Sequence, residues 1–203
     1  MSPGKVGVLI SGRGSNLQAL IAAAAAGALG GEIAVVVSNV ERAPGLDKAR
    51  AAGIPAHFRD HRGRPREEFD RDVLELLAAH HVDLVCLAGF MRRLSAHFIR
   101  AYPGRILNVH PSLLPAFPGL EPQRQALAYG AKVSGATVHL VDEGLDSGPI
   151  LLQEAVSVRE DDTEETLAAR ILEVEHRLYP RAARIVLDGR YRVEDHRVRL
   201  LEA

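Results

Sequence analysis

The chain predicts a doubly wound α/β fold, a mostly parallel sheet with an antiparallel C-terminal extension, and three observations lead there. Short apolar runs such as Lys5-Val6-Gly7-Val8-Leu9-Ile10 alternate with amphipathic stretches of helical period as far as Val109. The first run passes directly into a glycine-rich turn, Ser11-Gly12-Arg13-Gly14-Ser15-Asn16. Later in the chain, two apolar runs stand too close in sequence for a helical crossover, which makes them an antiparallel pair.

The elements follow in order. Lys5 to Ile10 is the first strand, and a helix runs from about Ser15 to Gly27. Glu32 to Ser38 is the second strand, followed by a short helix from Gly45 to Ala52 that Gly53 ends. Pro55 to Arg59 reads as a third, weaker strand. Glu67 to His81 is an amphipathic helix with Phe69, Val73, Leu76 and Leu77 on one side, leading into a strand from Asp83 to Ala88. A helix around Ser95 to Tyr102 and a strand from Arg105 to Val109 extend the sheet. Val138 to Val141 and Ile150 to Gln153 are the antiparallel pair, around the segment Asp142 to Pro149. A long helix from about Thr163 to Leu187 and a polar tail close the chain. Without internal repeats or low-complexity linkers, residues 1–203 read as one domain with two functional halves, 1–104 and 105–203.

The 203 residues are ample for a buried core. A formal net charge of −1 provides no general field for nucleic acid or an anionic membrane, so an anionic ligand needs a local device. The short polar lead before Lys5 is unlike a signal peptide, and no apolar run spans a membrane, which makes the cytoplasm the expected compartment. The one cysteine, Cys86, lies within Leu84-Val85-Cys86-Leu87 and reads as a buried structural thiol. No His, Cys, Asp or Glu set has metal-ligand spacing, so no metal is expected.

Chemistry concentrates in Asn108-Val109-His110-Pro111-Ser112-Leu113-Leu114-Pro115 and Asp146-Ser147-Gly148-Pro149. Asn108 and His110 sit two apart at the end of a strand, so their side chains share a face. The amide can donate to a developing oxyanion, and the imidazole can donate or accept a proton near neutral pH. Asp146 is the natural third member, orienting the imidazole or a water. In the first βα turn, glycines let the backbone approach a ligand and the helix that follows presents free N–H groups to an anion. The same turn also reads as a simple helix start capped by Ser15 or Asn16. Leu17 replaces the third glycine of a dinucleotide fingerprint, Asn39 replaces the acid for a ribose diol, and Gly-Lys-Ser/Thr is absent. A single phosphate monoester is the ligand these features favour.

In the last helix, Leu167, Ile171, Leu178, Ala182 and Ile185 form an apolar stripe, and Glu175 falls on it. An inward carboxylate needs a partner: a ligand amine or hydroxyl, or, with the helix rotated, Arg170 or Arg177. His139 alternates with core residues and reads as a packed, hydrogen-bonded histidine. His80 and His81 close a helix, while His57, His61, His97 and His196 have no motif company.

Together with Ala88-Gly89-Phe90-Met91-Arg92, these motifs resemble the glycinamide ribonucleotide formyltransferases of purine synthesis over nearly the whole chain. The Asn/His/Asp set is shared with other formyltetrahydrofolate enzymes, and the Gly-Ser-Asn turn distinguishes this group. The resemblance implies formyl transfer from 10-formyltetrahydrofolate to a primary amine through a tetrahedral intermediate, with Asn108 and His110 on its oxygen and Asp146 assisting proton transfer. It also implies that Gly14, Ser15, Asn16 and Arg66 hold the phosphate and that Glu175 holds the ribonucleotide. Met91, Arg92, Leu94, Val141, Asp142, Glu143, Gly144 and Leu145 would line the folate pocket. From residues alone, Arg66 is one of several exposed arginines and Arg92-Arg93 a charged loop. One departure is Gln123, near which many relatives carry a histidine. Small-molecule substrates, no nucleic acid or membrane partner, and a monomer or homodimer complete the expectation. Formyl transfer to another amine, hydrolysis of formyltetrahydrofolate and a noncatalytic nucleotide-binding module are the alternatives.

Overall fold

The computed structural model describes residues 3–201. The first part of the chain alternates β1 (Gly4–Ile10), α1 (Ser15–Ala25), β2 (Gly31–Ser38), α2 (Pro44–Ala51), β3 (Ala56–Phe58) and α3 (Arg66–Ala79). It continues through β4 (Leu84–Leu87), α4 (Ala96–Ala101), β5 (Ile106–His110), α5 (Pro122–Tyr129), β6 (Val133–Leu140) and β7 (Ile150–Ser157). Then come α6 (Glu164–Leu187) and the hairpin β8 (Tyr191–Glu194) and β9 (Arg197–Leu200).

Seven strands form one sheet in the order β3-β2-β1-β4-β5-β6-β7. The pairs from β3 to β5 are parallel, while β5–β6 and β6–β7 are antiparallel. The chain builds outward from β1 to β3 and then returns to place β4 on the other side of β1. That reversal opens a crevice at the carboxyl ends of β1 and β4, where sheets of this kind receive ligands.

Strand alternation divides the core. Val6, Val8 and Ile10 of β1 face a cluster with α1, α2 and α6, whereas Leu9, Val35, Val37 and Val85 face α3 and α4. Cys86 is fully buried, and burial pushes its thiol up to about 12, as a structural residue requires. Helix α6 starts in a capping box: Thr163 accepts from the Thr166 N–H at 3.3 Å and donates its own N–H to the Thr166 hydroxyl at 2.9 Å.

Two segments depart from the sequence reading. Between Val109 and Val138, where the sequence reading assigns no element, lies α5, which begins with Pro122 in its first turn and ends at Gly130 in the left-handed region. Proline at the start and glycine just past the end are the helix signature this stretch carried. The expected polar tail is the β8–β9 hairpin, in which Tyr191 pairs with Leu200 and Val193 with Val198. The Tyr191 hydroxyl donates to the Gly104 carbonyl at 2.6 Å and docks the hairpin before β5. β6 also begins five residues earlier than expected, at Val133 rather than Val138. Among the described residues no helix is long and apolar enough to cross a membrane, and no cluster of three or more His, Cys, Asp or Glu could hold a metal.

Candidate active site

The turn after β1 enters α1 through Gly14, whose φ of 67° is left-handed. A Cβ there would also stand 2.8 Å from the Gly45 Cα, so close packing of α2 on the turn requires glycine twice over. The Gly45 N–H fixes the turn by donating to the Gly12 carbonyl at 3.1 Å. Neither Ser15 nor Asn16 caps α1: no side chain bonds its first turn. The Gln18 N–H is the first to bond back, to Gly14 at 3.1 Å, leaving those of Ser15, Asn16 and Leu17 without an acceptor in the helix. A cavity of about 260 Å³ opens there, between the turn and residues 88–91, and Arg13 lines it.

Glu175 reaches this turn from α6. It is 5% exposed, and its Oε2 accepts from Asn16 Nδ2 at 2.7 Å. Burial raises its carboxyl to about 6, with the Asn16 bond pulling the other way. Arg170 and Arg177 do not partner it: Arg170 pairs with Asp162 at 2.7 Å and Arg177 with Glu154 at 2.5 Å. Asn16 Oδ1 is buried with no hydrogen-bond partner among the described residues, which leaves an acceptor aimed at no protein donor. One turn further along α6, the buried Tyr179 hydroxyl lies 2.9 Å from the Leu87 carbonyl and 3.0 Å from that of Leu107. It pins α6 beneath the ends of β4 and β5 and so sets where Glu175 stands.

β5 delivers Asn108 and His110 on one face, and the antiparallel register places them opposite His139 and Thr137. His139 donates from Nδ1 to the Leu140 carbonyl at 2.9 Å, so its Nε2 accepts from Asn108 Nδ2 at 3.2 Å. Burial lowers the His139 pKa, which favours this neutral ring. His110 donates from Nε2 to the Phe117 carbonyl at 2.9 Å and faces Asp146 Oδ2 from Nδ1 at 3.5 Å. That separation exceeds a hydrogen bond, so the two are close neighbours rather than a bonded pair. Asp146, with φ of 49°, is held by the Gly119 N–H at 2.8 Å, and its Oδ1 stands 3.8 Å from His139 Nε2. Just beyond it, a Cβ on Gly148 would lie 1.8 Å from the Leu140 carbonyl oxygen, so the loop closes against β6 only with glycine.

Two loops adjoin these groups. Met91 is 67% exposed, Arg92 lays its guanidinium 4.8 Å from the Phe69 ring centroid, and Leu94 packs against the α3 side of the core. In the second loop Val141 packs on the same cluster, Asp142 accepts from the Gly144 N–H and the Ser147 hydroxyl, and Leu145 is exposed. Arg93 joins the loops by donating to the Glu143 carbonyl at 3.0 Å.

The comparisons with known proteins agree on one family. The formyl transferase family model matches residues 4–183. The phosphoribosylglycinamide formyltransferase of Escherichia coli is 44% identical over 190 residues, covering 93% of this chain and 90% of its own. The chain belongs to the formyl transferase family. A solved glycinamide ribonucleotide transformylase 1 from Symbiobacterium toebii superposes with a TM-score of 0.97 at 53% identity, over 98% of this chain and 95% of that one. The trifunctional purine biosynthetic protein adenosine-3 of Drosophila melanogaster is 50% identical over 188 residues, 91% of this chain, which spans only 14% of that relative's length.

Within this formyl transferase fold, the predicted site residues gather at the carboxyl edge of the sheet, with one exception. Arg66, the first residue of α3, is exposed and does not line the cavity at the turn. Sequence reasoning missed Ser11, whose hydroxyl donates to Asn39 Oδ1 at 2.6 Å and accepts from the Met91 N–H at 2.8 Å, tying together the loops after β1, β2 and β4. It also missed Thr137, which accepts from the Leu114 N–H and donates to the Ser112 carbonyl, holding the segment after His110. Both contacts join residues far apart in sequence, and no local pattern announces them.

Proposed function

We propose that the protein transfers the formyl group of 10-formyltetrahydrofolate to the primary amine of glycinamide ribonucleotide, a step of de novo purine biosynthesis. One observation carries the reading: an unbroken run of contacts joins the unsatisfied turn of α1 to the Asn108/His110/Asp146 group. It passes from Ser11 to Met91, from Arg93 to Glu143, and through that loop to Asp146 beside His110. β1 and β5 are separated only by β4, roughly 10 Å at ordinary strand spacing. A phosphate on the turn and a reacting amine near Asn108 therefore fit one ribonucleotide.

In this reading the N–H groups of Ser15 and Asn16, with Gly14 giving close approach, hold the phosphate. Arg13, which lines the cavity, and Arg66, reaching toward the phosphate from the start of α3 outside that lining, supply the cations, and Glu175 with Asn16 Oδ1 receives donors of the ribonucleotide. The loops bearing Met91, Arg92, Leu94 and Val141, Asp142, Glu143, Gly144 and Leu145 line the folate side. The amine nitrogen attacks the formyl carbon and the carbonyl electrons move onto its oxygen. Asn108 Nδ2, fixed by His139, and His110 stabilise that oxyanion; one such donor contributes about 3 kcal/mol. The amine proton leaves toward Asp146 and is delivered to N10 as the C–N10 bond breaks.

The reading further makes residues 1–104 the phosphate-binding half and 105–203 the catalytic and folate half of one domain. It describes a cytoplasmic enzyme of small molecules, monomer or homodimer, with no metal. The test is turnover of 10-formyltetrahydrofolate with glycinamide ribonucleotide beside an amine-free control and an amino-sugar nucleotide. Formylated ribonucleotide in the first reaction alone is the expected result. Folate consumption without amine would make it a hydrolase, and binding without turnover a noncatalytic module.

A further inference from the structure

A patch of unbalanced positive charge lies away from the catalytic edge. Residues 177–201 hold seven arginines against three carboxylates in a chain whose net charge is −1. Arg177, Arg181 and Arg184 follow one another at four- and three-residue steps along one face of α6, and like charges at that spacing repel. They border a cavity of about 500 Å³, together with Arg190 from the turn into the hairpin. Its remaining walls are apolar: Pro180 and Ile185 of α6 with Leu200 and Leu201.

Two of the guanidiniums are braced. Arg184 Nε donates to Asp188 at 2.7 Å, and its stem occupies space that a Cβ on Gly30 would enter at 2.3 Å. Arg177 is held by Glu154 and by the Glu173 carbonyl. Arg181 and Arg190 have no carboxylate partner among the described residues. The Arg190 backbone is nonetheless fixed, since its N–H donates to Ile185 and its carbonyl accepts from Leu201. Four arginines carry two more positive charges than Glu154 and Asp188 neutralise. A volume of this size suits a small ligand, and apolar walls suit a flat body between the charges.

We propose that this groove is a second ligand site, taking an oligophosphate, with the apolar walls receiving the base when the oligophosphate is a nucleotide. Arginine favours such ligands because its planar fork pairs bidentately with phosphate oxygens and stacks on flat rings. The proposal is independent of the catalytic assignment, whose phosphate turn lies at the opposite end of the strands.

The test is calorimetric titration of the full chain with ATP and, separately, with inorganic triphosphate at about 0.1 M salt. Expected is saturable binding of both that weakens at least tenfold in R181A/R190A, persists in S15A/N16A, and falls steeply with added salt. Tighter binding of ATP than of triphosphate assigns the apolar walls to the base; equal binding reduces the site to its phosphate half. R181A/R190A should keep wild-type formyl transfer, which also shows that it folds. Absence of saturable binding at millimolar ligand, or loss of binding in S15A/N16A with retention in R181A/R190A, overturns the proposal.

Discussion

The end of β5 and the start of α1 solve opposite problems with the same kinds of group. At β5, Asn108 is bonded to His139, His110 to the Phe117 carbonyl, and Asp146 to the Gly119 N–H. At α1, three N–H groups of the first turn have no helical acceptor, Asn16 Oδ1 is buried unpaired, and Glu175 is buried with one amide for company. On the proposed reading, the difference separates catalysis from binding. Groups that act on a transition state gain from being fixed beforehand, because no reorganisation is then required during reaction. Groups that bind a ground-state anion hold their capacity open until the ligand satisfies it.

The sharpest way to break this comparison is at His110. His110→Asn removes a prefixed donor, so kcat should fall by roughly 10²- to 10³-fold while dissociation constants of both substrates stay within about twofold. Steady-state kinetics with equilibrium binding on the same variant checks it. A change mainly in binding would move His110 to the other class.

A smaller loss is expected one residue out. His139 touches Asn108 and orients its amide, so His139→Ala should lower kcat by roughly ten- to a hundredfold at near-constant KM. His139→Gln, which can still present an acceptor, should recover part of it. A purely structural role would instead lower the melting temperature of both variants and leave the rate per folded molecule intact.

The turn should behave in the opposite way. Ser15→Ala with Asn16→Ala should raise KM for the ribonucleotide about tenfold or more and spare folate binding and kcat. An effect confined to folate would detach the turn from the phosphate.

How much of this was legible follows from what each feature depends on. β1, β2, β4 and their helices could be read because their apolar periods are local. The Asn108/His110 pair could be read because two-residue spacing in a strand forces a shared face. Glu175 was visible as a carboxylate on an apolar stripe, but its partner was not, since Asn16 lies 159 positions away. The cross-strand contact from His139 to Asn108 depends on the register of β5 against β6, and that register is fixed by packing across the whole sheet. α5 was missed because its eight residues are too few for a strong apolar period, although its proline and glycine marked both ends.

Glu175 gives the finest test because binding and stability should move in opposite directions. Its carboxyl is raised from 4.5 to about 6 by burial. The folded state therefore binds the proton more tightly than the unfolded chain does. Stability from this group is complete below pH 4.5 and declines as pH rises through about 6, by about 2 kcal/mol for a shift of this size. Glu175→Gln keeps an acceptor for Asn16 Nδ2 without the buried charge. Its free protein should melt higher than wild type at pH 8, with the advantage shrinking toward pH 4.5. Its affinity for the ribonucleotide should weaken by roughly 1–2 kcal/mol, because hydrogen bonds to an ionised carboxylate become bonds to a neutral amide. Since Arg170 and Arg177 are committed to Asp162 and Glu154, no lost ion pair should offset the gain in stability. Parallel stability curves for the two proteins from pH 4 to 8 would show that the buried charge costs the fold nothing, and unchanged ribonucleotide affinity would take Glu175 out of the site.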